Sequence, residues 1–153
     1  MKMNREFHTV RGYQMLNSES KVLTSSMEDY LEMIYRICLE NGYARINQLA
    51  DKLNVRPSST TKVVQKLYEL GLVDYGIIQL MENGKSIGEF LLERHEIIEE
   101  FLGNIGVKET LLKDTELIEH DVSLSALEAI TSLNKFLTVN PQIKKQYDAF
   151  RLN

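Results

Sequence analysis

Cysteine is almost missing: Cys38 is the only one in 153 residues, which excludes a disulfide framework and suits a reducing cytoplasm. Long apolar runs are missing too, so no segment reaches the roughly 20 residues needed to span a membrane. Residues 1–22 lack the apolar core of a signal peptide and are expected to form a loosely ordered arm. There is no nucleophile elbow, no glycine-rich phosphate loop and no serine or cysteine set beside a base. Internal repeats and low-complexity tracts are also absent. With 43% hydrophobic and 26% charged residues, the chain has the make-up of a soluble globular protein of one domain or two small ones.

The net charge of −4 hides a strong asymmetry. From residue 45 to 66, five basic residues (Arg45, Lys52, Arg56, Lys62, Lys66) face Asp51 alone. From residue 92 to 130, ten acids face only Arg94, Lys108 and Lys113. The first stretch suits an approach to phosphate. The second repels phosphate and gathers cations.

Patterning places a DNA-reading unit on the basic stretch. Ser25 followed by Glu28 reads as a capping box opening a helix, in which Tyr30, Leu31, Ile34, Ile37 and Cys38 share an apolar face. Asn41-Gly42 stops it. Residues 46–53 read as a short amphipathic helix and 54–56 as a tight turn. Pro57 opens a second helix running to about Leu70, where Gly71 ends it. Helix, short turn and helix have the dimensions of a helix-turn-helix. On the second helix Val63, Val64, Leu67 and Leu70 fall inward, while Ser58, Thr61, Lys62 and Gln65 fall outward, with Arg56 and Pro57 at the entrance. Hydroxyls and an amide suit base edges, and cations suit phosphates. Residues 72–80 read as two short strands around a turn, a β-wing. Helices are expected at 85–102, 107–113, 115–137 and 141–150. The fold class is mainly α with a small β-wing: arm 1–22, winged helix-turn-helix 23–83, and a helical domain 84–153.

The acidic stretch carries a candidate metal grip. Glu116, Glu119 and His120 stand at offsets of three and four, which on a single helix places all three on one side. Asp29, Glu32 and His95 are further candidates. Taken singly, each has a plainer explanation: His95 shares its face with Leu91, Leu92, Ile98 and Leu102, and the carboxylates suit a solvated surface. Their conjunction favours a metal. Carboxylates and imidazoles without sulfur make a set suited to Mn²⁺, although raw affinity still favours later divalent transition ions. Residues 95–99, His-Glu-Ile-Ile-Glu, miss the second histidine of a zinc peptidase. A carboxylate-bridged di-metal enzyme needs paired Glu-x-x-His motifs that are also missing. No catalysis is expected. The alternatives are a metal-independent winged-helix regulator and, behind it, such a di-metal enzyme.

Residues 26–32 (SMEDYLE), 42–45 (GYAR), 56–67 (RPSSTTKVVQKL), 94–96 (RHE) and 118–120 (IEH) together resemble the diphtheria-toxin-repressor (DtxR) superfamily. Within it the chain is similar to the manganese transport regulators (MntR-like), from about Leu23 to Ala149. The resemblance implies a cytoplasmic homodimeric repressor that binds a palindromic operator in double-stranded DNA and regulates manganese homeostasis, with residues 84–153 as its metal-binding and dimerisation domain. It implies two Mn²⁺ ions per subunit, held by Asp29, Glu32, His95, Glu116, Glu119 and His120 where the two domains meet. The iron-responsive branch resembles this one but has cysteine at the position of Glu116 and methionine at that of Asp29. It also has an extra histidine where this chain has Leu112, and an SH3-like third domain. One departure stands out. The wing is about three residues shorter than the family pattern and lacks its charged aromatic stretch.

Overall fold

A computed structural model describes residues 23–152. The expected N-terminal arm, with His8 in it, lies outside the described residues. The elements in chain order are α1 (Ser25–Asn41), α2 (Ile46–Leu53), α3 (Pro57–Glu69), β1 (Val73–Asp74), β2 (Gln79–Leu80), α4 (Glu82–Asn104), α5 (Leu111–Ile118), a 3₁₀ turn (Glu119–Asp121), α6 (Leu124–Val139) and α7 (Pro141–Arg151). Mainly α with a small β-hairpin is the observed class. Two compact units divide between Leu92 and Glu93, inside α4.

In the first unit α1, α2 and α3 pack on one another around Leu31, Ile34, Leu49, Val64 and Leu67, all essentially without solvent exposure. The start of α1 differs from expectation by one residue. Thr24, not Ser25, is the cap, its Oγ1 accepting from Met27 N at 3.2 Å. Met27 therefore holds the third helical position, and no capping box with Glu28 forms. Gly42 ends α1 as expected, at φ 79° with its N–H donating to Cys38 O at 2.8 Å. Asn54 makes the tight turn at φ 53°, where its short polar side chain tolerates the left-handed region. Pro57 then opens α3.

The wing pairs Val73 with Leu80 and Asp74 with Gln79, antiparallel. A third piece of backbone, unforeseen in the sequence, joins it: Ala44 bridges to Ile78 and donates to its carbonyl at 2.8 Å. The Cys38 thiol also points to Ile78 O, at 3.8 Å, and burial pushes its pKa up. An unionised, half-buried thiol is a packing residue and not a reactive one.

The first part of α4 seats against this unit through two glycines. A Cβ at Gly84 would lie 1.9 Å from Leu72 O, and one at Gly88 would lie 2.8 Å from Tyr35 Cβ. One turn apart, they share a face and let the helix backbone approach. Ile87, Phe90 and Leu91 fill the space around them.

The second unit corrects two expected helices. Residues 107–110 are not helical, and the stretch expected as one helix from 115 to 137 is broken at Val122-Ser123. Val122 is extended (φ −82°, ψ 124°), and Ser123 Oγ accepts from Ala126 N at 3.3 Å, capping α6. A serine cap with its local hydrogen bond outweighs the continuous apolar pattern there. Buried Asn134 on α6 ties that helix to α4, donating to Ile97 O at 3.0 Å and accepting from Asn104 at 3.2 Å. On α7, Tyr147 reaches Ile105 O at 3.3 Å and Arg151 reaches Gly106 O at 3.3 Å.

Candidate metal centre and DNA-reading surface

The break at residue 122 reshapes the acidic grip. Glu116 lies in α5, whereas Glu119 and His120 lie in the 3₁₀ turn beyond its end, so the three do not share one α-helix as expected. Glu116 is exposed, while Glu119 is only 1% exposed and His120 is half-buried. What Glu119 meets is His95, buried on α4: His95 Nδ1 and Glu119 Oε2 are 2.8 Å apart. In the neutral ring Nδ1–H donates to the carboxylate, which makes Nε2 the acceptor nitrogen, the one that binds a cation. His95 Nε2 lies 3.5 Å from Glu99 Oε2, a carboxylate that sequence reasoning did not single out. Glu119 Oε1 is 3.8 Å from His120 Nε2. The structure thus gathers His95, Glu119 and His120 within the second unit and leaves Glu116 outside that group.

The sequence pattern assigns Arg94 no role, although it is a lone base beside His95 in an acidic stretch. It is 4% exposed, and its Nη2 donates to His120 Nδ1 at 3.3 Å. Guanidinium cannot accept, so a neutral His120 carries its proton on Nε2. A cation taken up at Nδ1 displaces the Arg94 contact, and one taken up at Nε2 moves the ring proton to Nδ1, which ends that contact as well. Two imidazoles and a buried carboxylate, with no thiolate, fit a borderline-to-hard divalent ion.

In the first unit α1 carries Asp29 and Glu32 three residues apart. Glu32 is buried and accepts from Arg36 Nε at 2.9 Å, while Asp29 is half-buried. Neither is the freely solvated surface carboxylate that its position opposite the apolar stripe suggests when read alone.

The α3 surface follows the expected division. Thr60, Val64 and Leu67 are fully buried; Arg56, Pro57, Ser58, Lys62 and Gln65 are exposed, with Thr61 half-buried between. Thr61 Oγ1 donates to Pro57 O at 3.0 Å, which leaves its acceptor lone pairs outward. Gln65 Nε2 reaches Glu69 at 3.4 Å, a weak tether that a base edge can replace.

A winged helix with a polar, basic reading helix, joined in sequence to a helical unit holding a histidine–carboxylate cluster, defines a metal-dependent DNA-binding regulator. Residues 22–76 match the family described as iron dependent repressor, N-terminal DNA binding domain, and residues 81–148 match iron dependent repressor, metal binding and dimerisation domain. The chain belongs to the iron dependent repressor family, whose members are transcriptional regulators and not enzymes. It is 41% identical over 130 residues to the HTH-type transcriptional regulator MntR of Lysinibacillus sphaericus, covering 82% of this chain and 94% of that protein. With the HTH-type transcriptional regulator MntR of Oceanobacillus iheyensis it shares 45% over 127 residues, covering 79% of this chain and 86% of that one. Among solved structures it resembles a manganese-dependent transcriptional repressor in complex with manganese (TM-score 0.63, 28% identity, 72% of this chain and 53% of that one). It also resembles the IdeR of T. acidophilum (TM-score 0.61, 25% identity, 69% of this chain and 52% of that one). The chain spans about half the length of these two structures.

Proposed function

We propose that this protein is a Mn²⁺-dependent repressor of metal-ion homeostasis genes, acting as a cytoplasmic homodimer on a palindromic operator. The observation that carries the reading is the buried His95–Glu119 pair with His120 beside it, in the part of the chain matching a metal-binding and dimerisation domain. MntR relatives and a manganese-bound structural neighbour support manganese as the ion. Asp29, Glu32, His95, Glu116, Glu119 and His120 are the proposed ligands, for two ions per subunit. Arg56, Pro57, Ser58, Thr61, Lys62 and Gln65 are the proposed DNA contacts. Among the described residues no helix is long and apolar enough to cross a membrane.

When bound, the ions supply positive charge among carboxylates that otherwise repel one another. The residues do the rest. Removing that repulsion narrows the set of arrangements the helices sample, so that two reading helices match successive major grooves about one helical turn apart. Leu133, Phe136 and Val139 of α6 and Phe150 of α7, all exposed, offer the apolar area that a second copy covers. The deciding experiment is titration of Mn²⁺ into a binding assay with the gene's own upstream DNA. Binding that rises with Mn²⁺ and collapses in chelator is expected. Equal affinity with and without metal supports a metal-independent regulator instead.

Three further results are expected. Lys62→Ala weakens binding to every sequence, and the slope of log affinity against log salt falls by about 0.9 for the lost phosphate contact. Ser58→Ala and Thr61→Ala change preference at particular base pairs instead, read out by selection from a duplex library. Glu116→Cys, which puts sulfur where the iron branch has it, weakens the Mn²⁺ response relative to those to Fe²⁺, Co²⁺ and Zn²⁺. DNA binding against free metal concentration measures this, without oxygen for iron. An unaltered ranking removes the exposed Glu116 from the selectivity argument.

A further inference from the structure

The wing carries no cation. Between Val73 and Met81 the only charged side chain is Asp74, which repels phosphate. The strand beside it supplies what the hairpin lacks. Ala44 is held to Ile78 by the bridge, and on extended backbone successive side chains alternate. Ala44 is accordingly buried, while Tyr43 and Arg45 stand together on the outer side, both exposed. The Arg45 guanidinium lies 5.5 Å from the centre of the Tyr43 ring, and its Nη2 donates to the Tyr43 hydroxyl at 3.1 Å. This contact fixes a long side chain that otherwise loses rotamer entropy on binding. It uses one of five N–H donors and leaves the rest of the planar fork for an oxyanion.

The placement favours DNA as the partner. Arg45 is the residue immediately before α2, the first helix of the helix-turn-helix, which in such motifs crosses the DNA backbone. It borders two open hollows. One, of about 490 Å³, is shared with Tyr75, Ile77 and Gln79 of the wing; the other, of about 430 Å³, with Asn41 and Gln48. Arg45 is thus continuous on one side with the wing and on the other with the reading unit.

We propose that Arg45, preorganised on Tyr43, grips a DNA phosphate beside the wing and stands in for the cations that the short hairpin lacks. The assignment rests on the DNA-binding reading and adds to it a contact outside α3. It is sequence-independent: the guanidinium meets backbone charge and reads no base.

The test uses the full-length, Mn²⁺-loaded protein with two probes: a duplex enriched from a random library by that protein, and an unrelated duplex of equal length. Arg45→Ala is expected to lower affinity for both duplexes by a common factor, about three- to tenfold, and to reduce the salt slope by about 0.9. Arg45→Lys restores the slope but not the full affinity. Tyr43→Phe keeps the slope and loses less affinity than Arg45→Ala. Lys62→Ala is run beside them. A reduced slope in Lys62→Ala with an unchanged one in Arg45→Ala overturns the Arg45 assignment and leaves the α3 reading standing. No change in either variant overturns the DNA surface as a whole. A loss confined to the enriched duplex means base reading and overturns the phosphate contact. A fall in Mn²⁺ affinity of Arg45→Ala, measured without DNA, moves the effect to the metal centre and overturns it as well.

Discussion

Glu119→Gln is expected to abolish metal-activated DNA binding while leaving a folded protein. The carboxylate is almost wholly buried and lies 2.8 Å from His95 Nδ1, so it sets the orientation and tautomer of that ring as well as offering oxygens of its own. Glutamine keeps the volume but removes the charge, and its amide nitrogen can present a donor where the imidazole needs an acceptor. Losing a partner of this kind lowers metal affinity by about 10–100-fold, and losing a direct oxygen donor adds to that. The measurement is Mn²⁺ affinity by metal titration, followed by anisotropy of labelled operator DNA against free Mn²⁺. Circular dichroism and light scattering report the fold and the dimer. Wild-type metal affinity and metal response in Glu119→Gln would refute the role of this cluster. His95→Ala, which removes the other half of the pair, is expected to give the same loss. Agreement between the two variants excludes an effect peculiar to a buried amide.

Gly84→Ala carries the largest expected effect on stability. An added methyl would sit 1.9 Å from Leu72 O, a backbone atom that cannot rotate away and that already accepts from Met81 N at 2.9 Å. Either α4 lifts from its seat or the Leu72–Met81 hydrogen bond breaks. Overpacking of this kind costs about 3 kcal/mol, against which alanine's helix propensity returns less than about 1 kcal/mol. The expected readout is a melting temperature lower by roughly 10 °C or more. Gly88→Ala, whose Cβ would meet the Tyr35 side chain at 2.8 Å, is milder because a side chain can shift where a carbonyl cannot. Equal stability of Gly84→Ala and the parent would mean that α4 does not approach Leu72 this closely.

Local chemistry made much of the fold readable. The limits of α2, the proline start of α3 and the glycine stop of α1 depend on short-range signals, and each lies where the residues indicate. The inward and outward faces of α3 follow from a 3.6-residue period that the packed unit enforces. Where the pattern misled, two local rules competed. The apolar periodicity through residues 115–137 favoured one helix, and the cap at Ser123 divided it. Thr24 and Ser25 are both good caps, and Glu28, which favoured Ser25 on spacing, did not decide between them.

The sequence by itself determined the chemistry available: a basic helix-turn-helix, an acidic stretch with two histidines, and motifs that place the chain in its family. Residue type and short-range spacing carry that information, because capping, turns and helix faces are settled within a few positions. Only the tertiary structure decided which of those groups meet. His95 and Glu119 are 24 residues apart, Arg94 and His120 are 26 apart, and Ala44 reaches Ile78 across the sheet. Contacts of that separation depend on where whole helices dock. The close seat of α4 at Gly84, the burial of Glu119 and the exposure of Glu116 were set by packing, which no local propensity encodes.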